Sequence, residues 1–400
     1  MRKFICTAAA MCCFSFVIFA QTGDSISTDL YFNSAEKMLQ TDGNLKIGGY
    51  GEAHYNQPLS AGTGNNGKLD IHRLIMLLGY QFNERTQFVS ELEFEHVNEI
   101  YVEQAFLQHK LNDYMNFRAG LLLAPMGIIN EYHEPVLFNG VERPLLDNHI
   151  VPSTWRELGF GFSGLVLPLS IKYQAYVMSG FNGFDGEAQL GGSSGLRGGR
   201  QKAARAFVSS PDLALKLEYF GIRGLNTGIS AYLGETESTL YQGVSKDDAA
   251  AMATADSSVV RLAMLGLDTR YTLGGFKLSA QMYYAGLSNT DQYNEFTADK
   301  NGGDLGSALF GYYVDLGYNV LKSTKSEMQL YPFVRYSNYD THFAVQGITK
   351  NEAYHKSVVT SGVSLFLAKG AVLKADLQFI KDGVSDTYSK TFNAGFGVMF

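Results

Sequence analysis

The last ten residues of the chain constrain its fold most strongly, because apolar side chains alternate there with small or polar ones. The apolar set is Phe392, Ala394, Phe396, Val398 and Phe400, with threonine, asparagine and glycine between them. A period of two residues predicts a strand with two unlike faces. Such a strand suits the wall of a transmembrane β-barrel, which separates lipid from water. We therefore predict that Phe396, Val398 and Phe400 form an assembly signal in the closing strand.

The first twenty residues predict a secretory signal peptide. Arg2 and Lys3 form a charged start, and the apolar run at 4–19 is too short for a membrane-spanning helix. All three cysteines lie in this segment, so the mature protein is predicted to contain no disulfide and no thiolate metal site. The predicted organisation is a signal peptide (1–20), a short periplasmic N-terminal segment (21–44) and an outer-membrane β-barrel (45–400).

The composition is compatible with a barrel and opposes a nucleic-acid partner. Charged residues make up 18% of the chain and the formal net charge is -7, whereas nucleic-acid binding needs a basic surface. A mean hydropathy of -0.07 excludes a helical membrane bundle but not a barrel, in which half of each strand faces water. No cofactor and no metal ion are predicted.

Segments of period-two alternation, separated by turn residues, predict an all-β, antiparallel transmembrane β-barrel of about sixteen strands. The connections alternate between short turns and mostly longer polar loops, which is typical of bacterial outer-membrane barrels. This pattern predicts the outer membrane of a Gram-negative bacterium, with both barrel ends on the periplasmic side. The predicted strands span 45–55, 69–82, 86–97, 100–111, 114–123, 156–166, 170–179, 205–220, 225–234, 257–273, 275–288, 306–321, 327–340, 353–368, 370–381 and 389–400.

The third long loop, residues 124–155, differs from the others in composition. It holds four of the eight prolines of the chain and its only tryptophan, Trp155. Proline fixes the backbone, and a long structured loop in a compact fold is usually functional. We expect this loop to fold inward and form a pore constriction. Its candidate residues are Glu131, His133, Glu134, Glu142 and Arg143.

Several motifs resemble those of the phosphate-selective porin O and P family, over roughly residues 45–166. The resemblance implies a diffusion pore of sixteen strands that is usually trimeric, with its third loop folded inward at 124–155. The strand pattern and the terminal Phe400 predict a lipid bilayer and barrel-assembly machinery as partners. The motifs that carry the resemblance are Asp70–Arg73, Tyr101–Leu111, Phe117–Leu121, Ala124–Gly127, Glu142–Pro144 and Trp155–Gly159.

The predicted pore wall departs from that family's basic pattern. His72 precedes Arg73 where the family usually has two arginines, and acidic residues balance the basic ones. We therefore predict weak cation preference, with a phosphate-selective or anion-selective porin as the alternative. The predicted wall residues are Lys46, Glu52, Arg73, Glu91, Glu93, Glu95 and Arg118.

Two glycine patterns match the residue spacing of enzyme motifs but lack the structural context that those motifs need. The spacing of Gly159, Gly161 and Gly164 matches a dinucleotide fingerprint, but it lies in a predicted strand that no helix follows. The run Gly191–Gly195 matches a nucleophile elbow, but a Gly/Ser-rich loop would not hold its serine in place. Neither pattern predicts an active site.

Some carboxylates and histidines have spacings that would suit further sites. Glu91, Glu93 and Glu95 stand about 6.6 Å apart along a strand, which would suit a glycosidase pair, but a solvated acidic stripe is the preferred interpretation. His133 and His149, with Glu131 and Glu134, could bind a metal if the loop folds back, although a solvated cluster is preferred. The remaining histidines look scattered in sequence.

The sequence therefore predicts a porin, not an enzyme, through which small hydrophilic solutes or ions diffuse passively. Selectivity would come from pore width and constriction side chains. Two other classes stay open: an outer-membrane barrel enzyme, and a structural or adhesive barrel with a blocked lumen.

Overall fold

A computed structural model of the chain describes residues 31–59 and 64–400, so the predicted signal peptide lies outside the described residues. Within them, sixteen strands form one closed barrel, and two short strands, β8 and β11, form a separate parallel pair. The strands are β1 (Leu45–Pro58), β2 (Lys68–Gln81), β3 (Thr86–Glu95), β4 (Glu99–Asn112), β5 (Met115–Leu123), β6 (Arg156–Val166), β7 (Ile171–Met178), β8 (Asn182–Phe184), β9 (Asp212–Tyr219), β10 (Leu225–Glu235), β11 (Glu237–Ser238), β12 (Arg261–Leu273), β13 (Phe276–Ser288), β14 (Ala308–Tyr318), β15 (Gln329–Ala344), β16 (His355–Ala368), β17 (Ala371–Asp382) and β18 (Ser389–Met399).

Every barrel strand pairs antiparallel with its neighbour in chain order, and β18 pairs with β1 to close the ring. In that last pair Tyr50 lies opposite Met399 and Pro58 lies opposite Thr391. Closure leaves no unpaired strand edge, which a barrel in lipid requires because lipid offers no hydrogen-bond partners. The predicted fold, an all-β barrel of sixteen antiparallel strands, is confirmed.

The barrel is polar inside and apolar outside. In β9, Lys216 and Glu218 are buried, whereas Leu213 and Leu217 are exposed on the outer surface. A water-soluble sheet would bury its leucines instead. The arrangement matches a wall whose outer face contacts lipid and whose inner face contacts water and polar groups.

Most predicted strand bounds agree with the structure to within a few residues, and two starts were wrong. The strand predicted from residue 205 begins at Asp212, because Pro211 cannot donate to the sheet. The strand predicted from residue 257 begins at Arg261, because the backbone N–H groups of Ser257 and Ser258 bond back to the helix that ends at Asp256.

The helices of the described residues are short, and none is long and apolar enough to cross a membrane. They are α1 (Ser34–Gln40), α2 (Leu146–His149), α3 (Ala249–Asp256) and α4 (Thr290–Thr297), with single 3₁₀ turns at Leu167–Leu169, Arg197–Gly199, Thr239–Tyr241 and Glu352–Tyr354. Of these helices, α1 precedes β1 and packs against β1, β2 and β3.

Deletion of Phe400 is expected to reduce the amount of protein in the outer membrane several-fold. The Phe400 backbone exchanges two hydrogen bonds with Gly49, at 2.9 and 3.0 Å, and its ring is 78% exposed beside the seam between β18 and β1. Membrane fractionation and immunoblotting would measure the loss. The control is Phe160→Ala, which removes a lipid-facing ring that is 52% exposed away from the seam. Normal levels in the deletion variant would contradict the predicted assembly signal.

Candidate functional site

Residues 124–155, which join β5 to β6, hydrogen-bond to side chains on many sides of the barrel. The Ile128 N–H donates to Gln281 of β13, and the Val141 N–H donates to Asp376 of β17 at 2.7 Å. His133 contacts Tyr50 of β1. Because these partners come from separated parts of the ring, the segment runs across the space that the strands enclose. We call it the crossing loop.

The base of the crossing loop is closed by one asparagine and one tryptophan. The Asn130 side-chain amide donates to the carbonyl oxygens of Ala124 and Trp155, at 2.8 and 3.0 Å, and accepts from the Trp155 N–H at 2.7 Å. The Trp155 ring is fully buried and packs on Phe181 and Tyr232, with centroids 4.4 and 4.5 Å apart. The two ends of the loop are therefore held together independently of its middle.

Glu131 is buried in a group of alternating charges on the side of β7 and β9. Its carboxylate pairs with the Lys216 ammonium and accepts from the Gln174 amide. Lys216 also lies 3.2 Å from Asp268. Burial raises the pKa of Glu131, and the Lys216 cation opposes that rise. Each buried charge here has an opposite charge beside it, as charges in a low-dielectric interior require.

His133 lies in a second buried charge group, formed with β1, β3 and β4. Its Nε2 is 2.8 Å from the Tyr50 hydroxyl, 3.6 Å from Glu103 and 3.8 Å from Glu91. Burial lowers the pKa of His133, but the neighbouring Glu103 carboxylate outweighs burial and raises that pKa to about 10. The imidazole is therefore a cation that is paired with buried carboxylates.

Arg73 ties this second group to the crossing loop. Its Nε donates to Glu52 at 2.6 Å, and one of its terminal nitrogens donates to the His133 carbonyl oxygen. The predicted wall residues Arg73 and Glu91 thus lie beside His133, and Glu52 joins them through Arg73. Glu93 is also buried, and it lines the same cavity as Arg73. Glu95, at the end of β3, is only partly buried.

Glu134 connects the crossing loop to the segment before the barrel. Its carboxylate accepts from the Ser34 N–H at 2.8 Å, at the first residue of α1. Lys172 of β7 contacts the same segment, since its ammonium lies 3.1 Å from Glu36 and 2.8 Å from Glu218. Within the predicted periplasmic segment, helix α1 is therefore held by side chains of the barrel interior.

The predicted wall residues Lys46 and Arg118 lie away from His133, near α1. Lys46 donates to Gln87 at 2.9 Å, and Arg118 donates to Gln108 and Tyr176. A small cavity beside α1 is lined by Arg118, Glu36 and Glu131. The predicted wall is thus split between two places rather than gathered at one ring.

Glu142 and Arg143 line a cavity of about 180 Å³ on one side of the crossing loop. This is the end of the barrel at which the longer loops join the strands, and we call it the long-loop side. Glu142 lies 3.2 Å from His54, and it accepts from Asn56 at 2.8 Å. Burial and the nearby Arg73 cation lower the pKa of Arg143. Five carboxylates line this cavity against three arginines, with two imidazoles as further basic groups. The carboxylates are those of Glu52, Glu93, Glu95, Glu142 and Asp147, the arginines are Arg73, Arg143 and Arg197, and the imidazoles are those of His54 and His72.

A larger cavity, of about 610 Å³, opens on the other side of the crossing loop. Its lining is more basic than acidic. The basic residues are Arg270, Lys277, Arg335 and Lys369, and the acidic ones are Asp315 and Glu327. The crossing loop therefore separates two spaces of opposite charge bias.

The histidine predictions were partly wrong. His133 and His149 do not contact each other, because the His149 ring stacks on Tyr339. Glu131 binds Lys216, and Glu134 accepts from the Ser34 N–H, so neither carboxylate joins the two histidines. Conversely, three histidines that look scattered in sequence lie together, since the ring of His72 packs on those of His54 and His96.

Two important residues were missed by the sequence analysis. Glu103 is fully buried beside His133, and Arg335 binds Asp315 and the carbonyl oxygens of Asn139 and Glu142. Arg335 follows the inward alternation of β15, so the period of two could have found it. Glu103 breaks the alternation of β4 and gave no such signal.

Comparison with known proteins supports the fold. None of the known protein-family models matches the chain. An uncharacterised protein of Aquifex aeolicus is 29% identical over 372 residues, which cover 88% of this chain and 79% of that protein.

Similar solved structures include outer-membrane channels. The anion-selective porin of Comamonas acidovorans has a TM-score of 0.56 at 12% identity, over 89% of this chain and 99% of that one. The channel DcaP of Acinetobacter baumannii has a TM-score of 0.55 at 10% identity, over 89% and 97%. OmpF of Salmonella typhi has a TM-score of 0.53 at 11% identity, over 90% and 98%. The chain has a porin fold.

Proposed function

We propose that this protein is an outer-membrane porin through which small hydrophilic solutes or ions diffuse passively. The observation that carries the proposal is a closed sixteen-stranded barrel with polar side chains inside and an interior crossed by a structured loop. Barrels of this size enclose an aqueous channel. The porin folds of similar structures support the same interpretation, and the outer membrane of a Gram-negative bacterium is the proposed location.

The crossing loop is the proposed constriction, with Glu131, His133, Glu134, Glu142 and Arg143 as its functional residues. Its contacts around the ring support this role, because they leave solutes only the spaces beside it. The acidic excess of the cavity on the long-loop side favours cations entering there, since charges in a narrow passage focus the field. Weak cation preference is therefore the proposed selectivity.

An anion-selective or phosphate-selective porin is the second candidate. The basic lining of the larger cavity favours it, because Arg270, Lys277, Arg335 and Lys369 outnumber the acids there. The motif resemblance to the phosphate-selective porin O and P family points the same way. A homotrimer, assembled by barrel-insertion machinery, is the proposed form in the membrane.

Reconstitution into planar bilayers tests the proposal and separates the candidates. Discrete conductance steps are expected, with a reversal potential across a KCl gradient that has the sign of weak cation preference. The opposite sign, with block of chloride current by phosphate, would favour the second candidate. Absence of any conductance from correctly folded protein would support a blocked structural barrel. A reaction with a fluorophosphonate probe would support a barrel enzyme.

Replacement of Glu131, Glu134 and Glu142 by glutamine is expected to shift permeability toward anions by about two-fold or more, because three carboxylates leave the crossing loop that borders the passages. The ammonium of Lys216 keeps Asp268 as a partner after the change. Reversal potential under the same gradient measures the shift. Glu84→Gln is the control, since Glu84 lies exposed in the turn between β2 and β3. An unchanged reversal potential in the triple variant would mean that these carboxylates of the crossing loop do not determine ion selectivity.

A further inference from the structure

Side chains from β2 and from the turn after β3 converge beside the cavity on the long-loop side. The His96 Nδ1 lies 2.7 Å from one Asp70 carboxylate oxygen, and the His72 Nδ1 lies 3.5 Å from the same oxygen. The nearest ligand atoms of these three residues all lie within 4.8 Å of one another. Two imidazole nitrogens and one carboxylate oxygen thus face a common point.

A β-bulge brings His72 to this point. Along β1 and β2, Glu52 pairs with Arg73 and Ala53 pairs with Ile71, so His72 is an extra residue without a partner. A bulge re-aims a side chain that regular alternation would send to the other face. His72 and Arg73 therefore both turn inward, although they are adjacent in sequence: His72 stacks on His54, and Arg73 binds Glu52.

The turn that carries His96 has an unusual backbone. His96 and Val97 have φ values of 52° and 71°, in the left-handed region that favours glycine and disfavours β-branched residues. Such conformations persist only where the surroundings hold them, and they cluster at functional sites. Here the turn delivers the His96 ring to Asp70.

The separations suit a transition-metal ion. A zinc ion has imidazole and carboxylate ligands at about 2.0–2.2 Å in a tetrahedral arrangement, so two ligand atoms lie roughly 3.3 Å apart. The observed 2.7 and 3.5 Å bracket that value. We propose that Asp70, His72 and His96 bind a divalent transition-metal ion of the zinc type at the long-loop mouth of the barrel.

The surroundings of the site fit a cation that enters from water. The side chains of His72, Asp70 and His96 are 30%, 31% and 45% exposed, which leaves room for water ligands. The Glu95 carboxylate lies 3.9 Å from the His96 Nε2, where it would orient the ring as outer carboxylates do for histidine ligands. Arg73 and Arg143 line the same cavity as His72, and the Arg73 cation is paired with the Glu52 carboxylate.

Calorimetric titration of the metal-free, full-length protein in detergent with zinc chloride tests the site directly. One zinc ion per chain is expected, with affinity at least ten-fold weaker in His72→Gln and in His96→Gln. The second variant changes only a turn residue, so it guards against misfolding of the first. Heat-modifiable gel migration would check the fold of both. His109→Gln is the control, because His109 contacts Thr86 at the opposite end of β3.

Zinc affinity in both variants equal to that of the unchanged protein, loss of affinity in the His109 control, or no binding by the unchanged protein would each overturn the proposal. Tight binding of Mg²⁺, which prefers oxygen ligands, would also count against an imidazole site.

Zinc added to one face of a bilayer gives a second readout, and this one rests on the proposed porin function. Zinc on the long-loop side is expected to reduce single-channel current, with recovery after a chelator and no effect on His72→Gln. If the protein binds zinc in calorimetry but never conducts, the metal-site proposal stands and the porin proposal fails. If the protein conducts but does not bind zinc, the porin proposal stands and the metal-site proposal fails.

Discussion

Replacement of residues 131–150 by a short Gly-Ser linker is expected to raise single-channel conductance by at least about two-fold, because a sixteen-stranded barrel without an inner loop is an open aqueous channel. The deleted stretch contributes the contacts to Tyr50, Lys216, Asp376 and Gln281 that are made at or beyond Glu131. Asn130 and Trp155 stay, so the base of the loop remains closed. Planar-bilayer recording measures the change.

The matched control removes residues 243–250 from the loop that contains α3. These residues are mostly exposed and lie outside the interior contacts described for the crossing loop. Conductance should stay unchanged in this control. If the variant without 131–150 conducts like the unchanged protein, the crossing loop does not limit the pore, and the constriction proposal fails.

Removal of residues 31–41, with the signal peptide retained, is the second change with a large expected effect. Helix α1 is capped by Asn33 and Glu36, packs against β1–β3 and is tied to Lys172 and Glu134. We expect higher conductance and more frequent current fluctuations, because the helix no longer fills space beside the crossing loop. Lys172 keeps its ion pair with Glu218, so the barrel itself should still fold.

A cysteine pair tests the position of α1 without deleting it. A Cβ built on Gly79 would lie 2.8 Å from the Met38 Cγ, which occupies roughly the place that the sulfur of a cysteine at position 38 would take. A cysteine at each position would therefore bring the two sulfurs within bonding reach. Met38→Cys combined with Gly79→Cys should therefore crosslink on oxidation and change gel migration, whereas either single variant should not. Free thiols after oxidation of folded protein would mean that α1 does not rest in this position.

The parts of the fold that could be predicted are those governed by local alternation. Strand number, the closing strand and the short-turn pattern follow from a period of two, because each strand separates lipid from a polar interior. Residues 124–155 were singled out by their prolines and by their position as the third long loop. Its partners were not, because contacts such as Ile128 to Gln281 depend on strands far apart in sequence.

Bulges explain the most consequential residues that sequence reasoning missed. In β4, Gln104 pairs with Glu91 and Val102 pairs with Leu92, so Glu103 is an extra residue and turns inward with its neighbour. His72 of β2 is displaced in the same way. A bulge resets the alternation, and nothing in the adjacent residues signals it. The His72 cluster and the partner of His133 therefore became visible only in three dimensions.

The single tryptophan gives the protein an intrinsic optical probe. Trp155 is fully buried at the base of the crossing loop, between Phe181 and Tyr232, and its backbone is bonded to Asn130. Its emission reports on one site, so the spectrum needs no deconvolution among several indoles. In stopped-flow refolding into micelles, Trp155 fluorescence would therefore time the docking of the base of the crossing loop. Circular dichroism would follow the formation of the sheet separately, and no dye needs to be attached to the chain.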